Sequence, residues 1–237
     1  MRTLVLSIFV ALFTIAPVQA QDIDIGVRGD LNFASFRGDT NQLRTALIGQ
    51  GGSGDFGRRI GFRVGGLLRF HISEMFAIRP EVIYSQKGAT FTGSNSGSIN
   101  GQVVNVEVET TSRYDYLDVP VLAELRFPVN QEAGTPIEPY FFAGPSLGFV
   151  VSSETETEAT ASSGSVSQTQ SETNDDDIES TAVSGVLGLG LSWGFESGGA
   201  LSLDARYNPG FTSLDSDSEF DVQNDVITVG LSYSFAL

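Results

Sequence analysis

The only histidine of the chain, His71, stands two residues before Ser73 and three before Glu74. A serine, a histidine and an acid are the groups that nucleophilic hydrolases combine, with the histidine taking the serine's proton. Ser73-Glu74-Met75, however, has the position and composition of a tight turn, and a hydrogen-bonded structural histidine is the favoured interpretation. The chain also lacks a cysteine nucleophile, a phosphate-binding glycine loop and a zinc ligand set. We therefore predict a protein that is not an enzyme and needs no cofactor or metal.

Acidic runs are the second feature with chemical potential, because oxygen-rich sites suit calcium. One run alternates at Asp215, Asp217, Glu219 and Asp221, but it lacks the turn glycine of an EF-hand loop. A longer acidic segment is rich in Ser and Thr and contains no Lys or Arg, which is typical of a solvated loop. Calcium binding, or bridging by divalent cations to anionic lipid headgroups, is the alternative. The segment's acidic residues, together with Asn174, are Glu154, Glu156, Glu158, Glu172, Asp175, Asp176, Asp177 and Glu179.

The overall charge excludes one class of partner. Thirteen Lys and Arg stand against 29 Asp and Glu, for a net charge of −16. Such a surface repels phosphates, so we expect no nucleic-acid partner. Twenty-seven glycines, 17 phenylalanines and no cysteine are typical of a β-rich exported protein without disulfides.

The N-terminus has the three parts of a secretory signal: Arg2, an apolar stretch from Leu4 to Ala16, and Val18-Gln19-Ala20. We predict a signal peptide over residues 1–20 and one domain over residues 21–237; a retained anchor is the alternative. No other stretch reaches the roughly 20 apolar residues that a membrane-spanning helix requires, so any membrane insertion must use strands.

Apolar residues alternate with small or polar ones in segment after segment, most clearly from Ile227 to Phe235. This period of two predicts strands with one apolar and one polar face. Three short and four long connections alternate between them, as in an outer-membrane barrel with its termini on the short-turn side. We predict eight strands near Ile23–Phe36, Arg59–Ile72, Phe76–Thr90, Tyr114–Phe127, Ile137–Val151, Ala182–Phe195, Ala200–Leu214 and Asp225–Phe235.

Alternation alone does not say which face points inward, and the charged residues decide between the two possibilities. If the apolar row faces lipid, the basic and acidic side chains of the strands nearly cancel inside a sealed lumen. A soluble barrel with these charges outside is the alternative. The residues assigned to the lumen are Arg28, Arg59, Arg63, Arg69, Arg79, Lys87, Arg126 and Arg206, with Asp24, Asp30, Glu81, Asp118, Glu124 and Asp204.

Aromatic residues are expected at the two membrane interfaces, where such barrels carry girdles of rings. We predict one girdle near the short-turn side and one near the long-loop side. Their members are Phe70, Phe76, Phe127, Tyr140, Trp193, Phe195, Tyr233 and Phe235, and Phe33, Phe62, Tyr84, Tyr114, Tyr116 and Phe149, respectively.

Four segments carry a resemblance to a known family: 116–122 (YLDVPVL), 139–146 (PYFFAGPS), 185–190 (GVLGLG) and 204–207 (DARY). In these motifs the chain resembles the PorT-like outer-membrane β-barrel proteins of Gram-negative bacteria, often labelled porin family proteins. The last strand also resembles the signal read by the barrel-assembly machinery, at Thr228, Gly230, Tyr233 and Phe235, although the chain continues through Ala236 and Leu237. The resemblance implies an outer-membrane location and barrel-assembly machinery as a partner during biogenesis.

We therefore predict an all-β, eight-stranded, antiparallel up-and-down barrel in the bacterial outer membrane, in contact with its lipid. An eight-stranded interior is just wide enough to be filled by side chains. The predicted function is non-enzymatic: a membrane anchor whose long acidic extracellular loops face a surface ligand or divalent cations. A narrow pore or secretion-accessory role is the alternative.

Overall fold

A computed structural model describes residues 23–49, 51–99, 101–127, 137–163, 166–174, 180–195, 198–213 and 221–237. The predicted signal peptide therefore lies outside the described residues. So do the acidic residues at 175–177, 179, 215, 217 and 219.

Nine strands and one short helix make up the described chain. They are β1 (Ile23–Gly38), α1 (Thr40–Ile48), β2 (Ser53–His71), β3 (Phe76–Ile99), β4 (Gln102–Arg126), β5 (Ile137–Ser163), β6 (Val166–Asn174), β7 (Thr181–Gly194), β8 (Gly199–Pro209) and β9 (Val222–Ala236).

Eight of the strands form a closed ring. Each strand pairs antiparallel with its neighbours in the order β1-β2-β3-β4-β5-β7-β8-β9. The first and last strands then pair from Asp24↔Ala236 to Gly38↔Val222 and close the ring. The predicted eight-stranded antiparallel barrel is confirmed, and closure leaves the ring no unpaired edge in the membrane.

The predicted orientation of the two strand faces is also confirmed. On β9, Leu231 is 52% exposed and Phe235 48%, whereas Thr228 is fully buried. The same alternation runs along β2, where the outward side chains Ile60 and Val64 are 66% and 52% exposed. Apolar side chains therefore form the outer wall, and charged or small residues, together with buried rings such as Tyr116 and Phe142, fill the interior.

The predicted second and third long loops, residues 91–113 and 152–181, are wrong over most of their described length, because these segments are strands. The β3–β4 hairpin stays paired up to Ile99↔Gln102, and β5 continues to Ser163 before turning back as β6. The edge of β2 joins them through Ser53↔Ser94 to Arg58↔Ala89. We call these continuations beyond the barrel, on the side away from the chain ends, the extension: residues 53–58, 89–99, 102–115, 152–163 and 166–174.

Three aromatic residues predicted for the girdles point into the barrel instead. Tyr114, Tyr116 and Tyr140 are 6%, 1% and 0% exposed. In the described part of the chain, no helix is long and apolar enough to cross a membrane.

Candidate functional site

The middle of the lumen is crossed by ion pairs. Arg206 of β8 donates to both carboxylate oxygens of Glu81 on β3, at 2.7 and 3.0 Å, and β3 and β8 lie on opposite sides of the ring. From β1, Arg28 donates to Asp204 at 3.1 Å and to Glu81 at 3.2 Å. These side chains are 0–1% exposed. The bidentate contact between arginine and carboxylate fixes the relative orientation of the two side chains and adds to their electrostatic attraction.

A second cluster fills the end of the lumen near the chain termini. Glu124 pairs with Arg79, with Arg69 at 3.0 Å and with Arg126 at 2.7 Å. Arg79 also contacts Glu81 at 3.0 Å, so the two clusters are continuous. Five strands thus share one network of alternating charges, which offsets much of the cost of burying each charge.

Three further predicted lumen residues, Lys87, Asp118 and Arg63, lie outside these clusters. Lys87 donates to Asp118 at 2.8 Å and stands 4.2 Å above the ring of Tyr116. Arg63 is buried and donates to the hydroxyl of Thr228 at 3.4 Å. The structure therefore places all ten residues of the predicted network inside the barrel: Arg28, Arg63, Arg69, Arg79, Glu81, Asp118, Glu124, Arg126, Asp204 and Arg206.

Arg59, also assigned to the lumen, faces outward instead. The pairing of β2 with β3 shifts between Arg58 and Arg63, and such a bulge interrupts the alternation of faces locally. Arg59 consequently lines an outer cleft with Gln86 and Arg113. A bulge of this kind leaves no signal in the residue pattern of β2 alone.

Aromatic rings line the other end of the lumen on the side of β1–β4, which the sequence interpretation missed. Phe56 lies 4.9 Å from Phe91 and 6.1 Å from Phe36, and Phe36 lies 6.2 Å from Tyr114. These rings come from β1, β2, β3 and β4, and they face inward at the level where the extension begins. We call these four residues the aromatic cap. Phe36, Phe91 and Tyr114 are an even number of positions from other inward residues of their strands, so their direction could be read from the sequence. Phe56 is an odd number of positions from Arg63, because the bulge in β2 lies between them.

His71 does not face the serine that follows it. Its Nε2 atom lies 3.1 Å from Asp24, which also accepts from Arg69 at 2.9 Å. Ser73 instead accepts the backbone N–H of Phe76 at 3.1 Å. Among the described residues, no three His, Cys, Asp or Glu side chains are grouped to hold a metal ion.

The outer face of the extension is acidic. A cleft of about 450 Å³ is lined by Asp55, Glu107, Glu109 and Glu158, and Glu109 and Glu158 stand directly opposite each other on β4 and β5. Like charges in directly opposed positions destabilise a sheet. The described glutamates of the predicted third loop therefore belong to a paired, structured surface.

The four residues of the predicted assembly signal divide between the two faces of β9. Tyr233 and Phe235 point outward, while Thr228 and Gly230 face the lumen. A side chain at Gly230 would collide with the carboxylate of Asp30, so lumen packing alone accounts for this glycine. A role of these residues in assembly stays a prediction.

The profile of one protein family, described as outer membrane protein beta-barrel domain, matches residues 19–216. No curated protein matches the chain.

Among solved structures, the chain is similar to Ail, the attachment invasion locus protein of Yersinia pestis, with 14% identity, 90% of this chain and 98% of that chain covered, and a TM-score of 0.34. It is also similar to Neisserial surface protein A, with 14% identity, 88% of this chain and 95% of that chain covered, and a TM-score of 0.36. For the outer membrane protein OprG from Pseudomonas aeruginosa the identity is 11%, the coverage 92% of this chain and 97% of that chain, and the TM-score 0.36. Scores this low carry no functional inference. On the family profile, and consistent with its closed ring and apolar outer wall, the chain belongs to the outer membrane protein beta-barrel domain family and is a protein of the bacterial outer membrane.

Proposed function

We propose that the barrel is a sealed anchor that holds the extension at the cell surface as an interaction surface. The observation that carries the proposal is the cross-lumen cluster of Arg28, Glu81, Asp204 and Arg206, whose side chains are 0–1% exposed. Hydrogen-bonded ion pairs bridge opposite strands directly there. The aromatic cap adds a second, apolar obstruction.

The interaction surface in this proposal is the acidic outer face of the extension. Its opposed Glu109 and Glu158 cost stability in the isolated protein, and a cationic partner would relieve that repulsion. Neighbouring outward positions add Glu107 and Asp55 to the same cleft. The partner class that fits is a positively charged surface or peptide, or divalent cations held between this face and anionic headgroups.

Conductance in planar lipid bilayers tests the sealed anchor. We expect no steady, ohmic channels from the pure protein, because buried ion pairs cross the lumen between opposite strands. A mock preparation, purified identically from cells without the protein, controls for contaminating channels. Steady conductance proportional to the amount of protein, and absent from the mock preparation, would overturn the anchor and favour the narrow pore or secretion-accessory role that the PorT-like resemblance implies.

A further inference from the structure

The extension has an open sheet edge, which the closed barrel does not have. β6 pairs with β5 from Thr155↔Asn174 to Ser163↔Val166. It stands at the end of the strand order and has no second partner strand among the described residues. The backbone N–H and C=O groups on its free side therefore form a row of unpaired donors and acceptors. The chemical group that completes such a row is another β-strand.

β6 lacks the features by which edge strands avoid pairing. Natural edges are protected by proline, lysine, bulges or inward-pointing charges. The nine residues VSQTQSETN contain no proline and no basic residue, and their pairing with β5 runs without a register shift. The side chains described on this strand are exposed: Gln168, Thr169, Gln170, Glu172 and Thr173. The edge is thus regular and accessible to a partner strand.

The other edge of the extension is less suited to the same contact. It consists of residues 53–58 of β2, beyond the point where pairing with β1 ends at Ala34↔Arg59. Asp55 lies near the middle of this stretch, so two copies paired there would bring like charges together. Arg58 also donates to the backbone carbonyl of Phe33 at 3.1 Å, across the gap between the two strands.

The strand that matches the β6 edge is β6 of a second copy. Antiparallel pairing centred on Gln170 uses all nine residues, from Val166 to Asn174. It sets Gln170 opposite the same residue of the partner and Gln168 opposite the partner's Glu172. Glu172 is the only charged residue of β6, so no like charges stand directly opposite each other.

The uncharged centre of β6 also keeps the acidic surfaces of two copies apart. Glu154, Glu156 and Glu158 lie on β5, one strand in from the edge. In the paired sheet the two β5 strands are three strand spacings apart, about 14 Å. Charges at this distance are beyond the screening length of about 8 Å at physiological ionic strength. Repulsion between these glutamates is therefore largely screened.

The symmetry of the contact decides how the two barrels are arranged. An antiparallel pair of identical strands has a two-fold axis perpendicular to the sheet. Because β5 continues from the barrel wall into the extension, this axis lies across the barrel axis and inverts the second barrel. Two copies in one membrane point the same way and cannot form the contact. It joins copies in two membranes that face each other.

We therefore propose that β6 pairs antiparallel with β6 of a second copy, as a contact between two cells that carry the same protein. The contact uses the backbone edge of the extension. It requires neither the sealed lumen nor a cationic partner on the acidic outer face, so it can fail while the proposed function holds, and the reverse.

Single barrels in lipid nanodiscs test the contact, because both ends of the barrel are accessible in a disc. Discs that carry donor or acceptor dyes should show energy transfer that increases with concentration, and electron microscopy should show two discs face to face. Gln170→Glu and Gln170→Lys each set like charges directly opposite and should weaken the association about tenfold. A mixture of Gln170→Glu discs with Gln170→Lys discs should regain the native affinity. Thr160→Glu on β5, one strand in from the edge, is the control and should keep the native affinity.

Introduced cysteines test the register, since the natural chain contains none. Gln170→Cys should form a disulfide with its own copy under mild oxidation, because the two positions meet at the two-fold axis. Gln168→Cys and Glu172→Cys should cross-link when mixed, but neither should cross-link alone. In each unmixed case the two positions are offset by four residues, about 13 Å, which is too far for a disulfide.

The absence of association between native discs would refute the contact, and discs that associate side by side would refute its arrangement between two membranes. An equal loss in Thr160→Glu and Gln170→Glu would reduce the effect to general repulsion between acidic surfaces. Recovery in the mixed discs shows that both charge variants are folded. Failure to recover, together with no disulfide in Gln170→Cys, would exclude pairing through β6.

Discussion

Glu81, like Glu124, pairs with three arginines inside the barrel. It contacts Arg206 at 2.7 Å, Arg79 at 3.0 Å and Arg28 at 3.2 Å, and these partners come from β8, β3 and β1. A single carboxylate therefore compensates part of three buried positive charges. Because the interior screens charges poorly, each arginine depends on this compensation.

Replacing Glu81 by Gln removes the charge and keeps the shape. We expect the free energy of unfolding in lipid vesicles to fall by about 3–5 kcal/mol, the cost of leaving buried charges without their partner. Denaturant titration of the refolded barrel measures the change.

Glu156→Gln is the matched control, since Glu156 is exposed and lies 3.6 Å from Arg113. Its effect should stay below about 1 kcal/mol, as for other exposed ion pairs. Equal losses in the two variants would mean that the lumen network contributes no more than a surface pair.

Much of the residue-level placement could be predicted from the sequence. Period-two alternation fixed the faces of Arg69 and Arg206, because a strand side chain has only two directions. Arg59 could not be placed, because the pairing shift above it depends on how β2 meets β3. Tyr140 was misplaced for a different reason: a tyrosine suits both a membrane interface and a polar lumen, and only its neighbours on β7 decide between them.

At the scale of elements, glycines on β7 make room for rings on β5. Tyr140 pairs with Gly190 and Phe142 with Gly188 across the two strands. Arg79 and Arg206 stand 4.5 and 4.9 Å from the ring of Phe142, so the rings also support the charge network. The small serine and glycine residues on the inner face of β7 therefore leave the space that the bulky rings of β5 occupy.

A Gly190→Ala substitution tests this complementarity. The added methyl carbon would lie 2.6 Å from the hydroxyl oxygen of Tyr140 and 2.7 Å from the carbonyl oxygen of Leu203. Overpacking of this kind costs about 1–3 kcal/mol, so the unfolding midpoint should fall.

Gly29→Ala provides the control, because Gly29 faces outward and a methyl group there would meet nothing within 4 Å. Its stability should be unchanged or slightly higher, since the substitution only reduces the freedom of the unfolded chain. A Gly29 variant as damaged as the Gly190 variant would show that strand glycines are needed for reasons other than space.

The extension shows where composition misleads at this scale. Glu154, Thr155, Glu156, Thr157 and Glu158 look like a solvated loop by charge, yet they alternate with period two. Thr155 donates to Ser112 at 2.9 Å, and the glutamates face outward. Threonine favours strands through its branched side chain. Pairing with β4 and β6 provides the partner strands that this polar segment would not have alone. The period-two alternation can be read from the sequence, but the strands that pair with this segment cannot.

The whole molecule is polarised along the barrel axis. Both described chain ends lie at one end, where β1 starts beside the end of β9, and the extension and α1 lie at the other. Short turns face the periplasm and longer excursions face outward in outer-membrane barrels. The polarity thus predicts that the acidic face of the extension is on the cell exterior.

Labelling of introduced cysteines tests this orientation, and the natural chain contains no cysteine to interfere. Glu158→Cys lies on the outer face of the extension and Glu74→Cys in the exposed turn at the opposite end, so the two variants lose the same charge. A membrane-impermeant maleimide added to intact cells should label the Glu158 variant and leave the Glu74 variant unlabelled until the outer membrane is permeabilised. The reverse pattern would place the extension in the periplasm and remove the basis for a surface role. Labelling of both variants in intact cells would contradict insertion in a single orientation, because a closed barrel with one polarity exposes only one of these two ends to the medium.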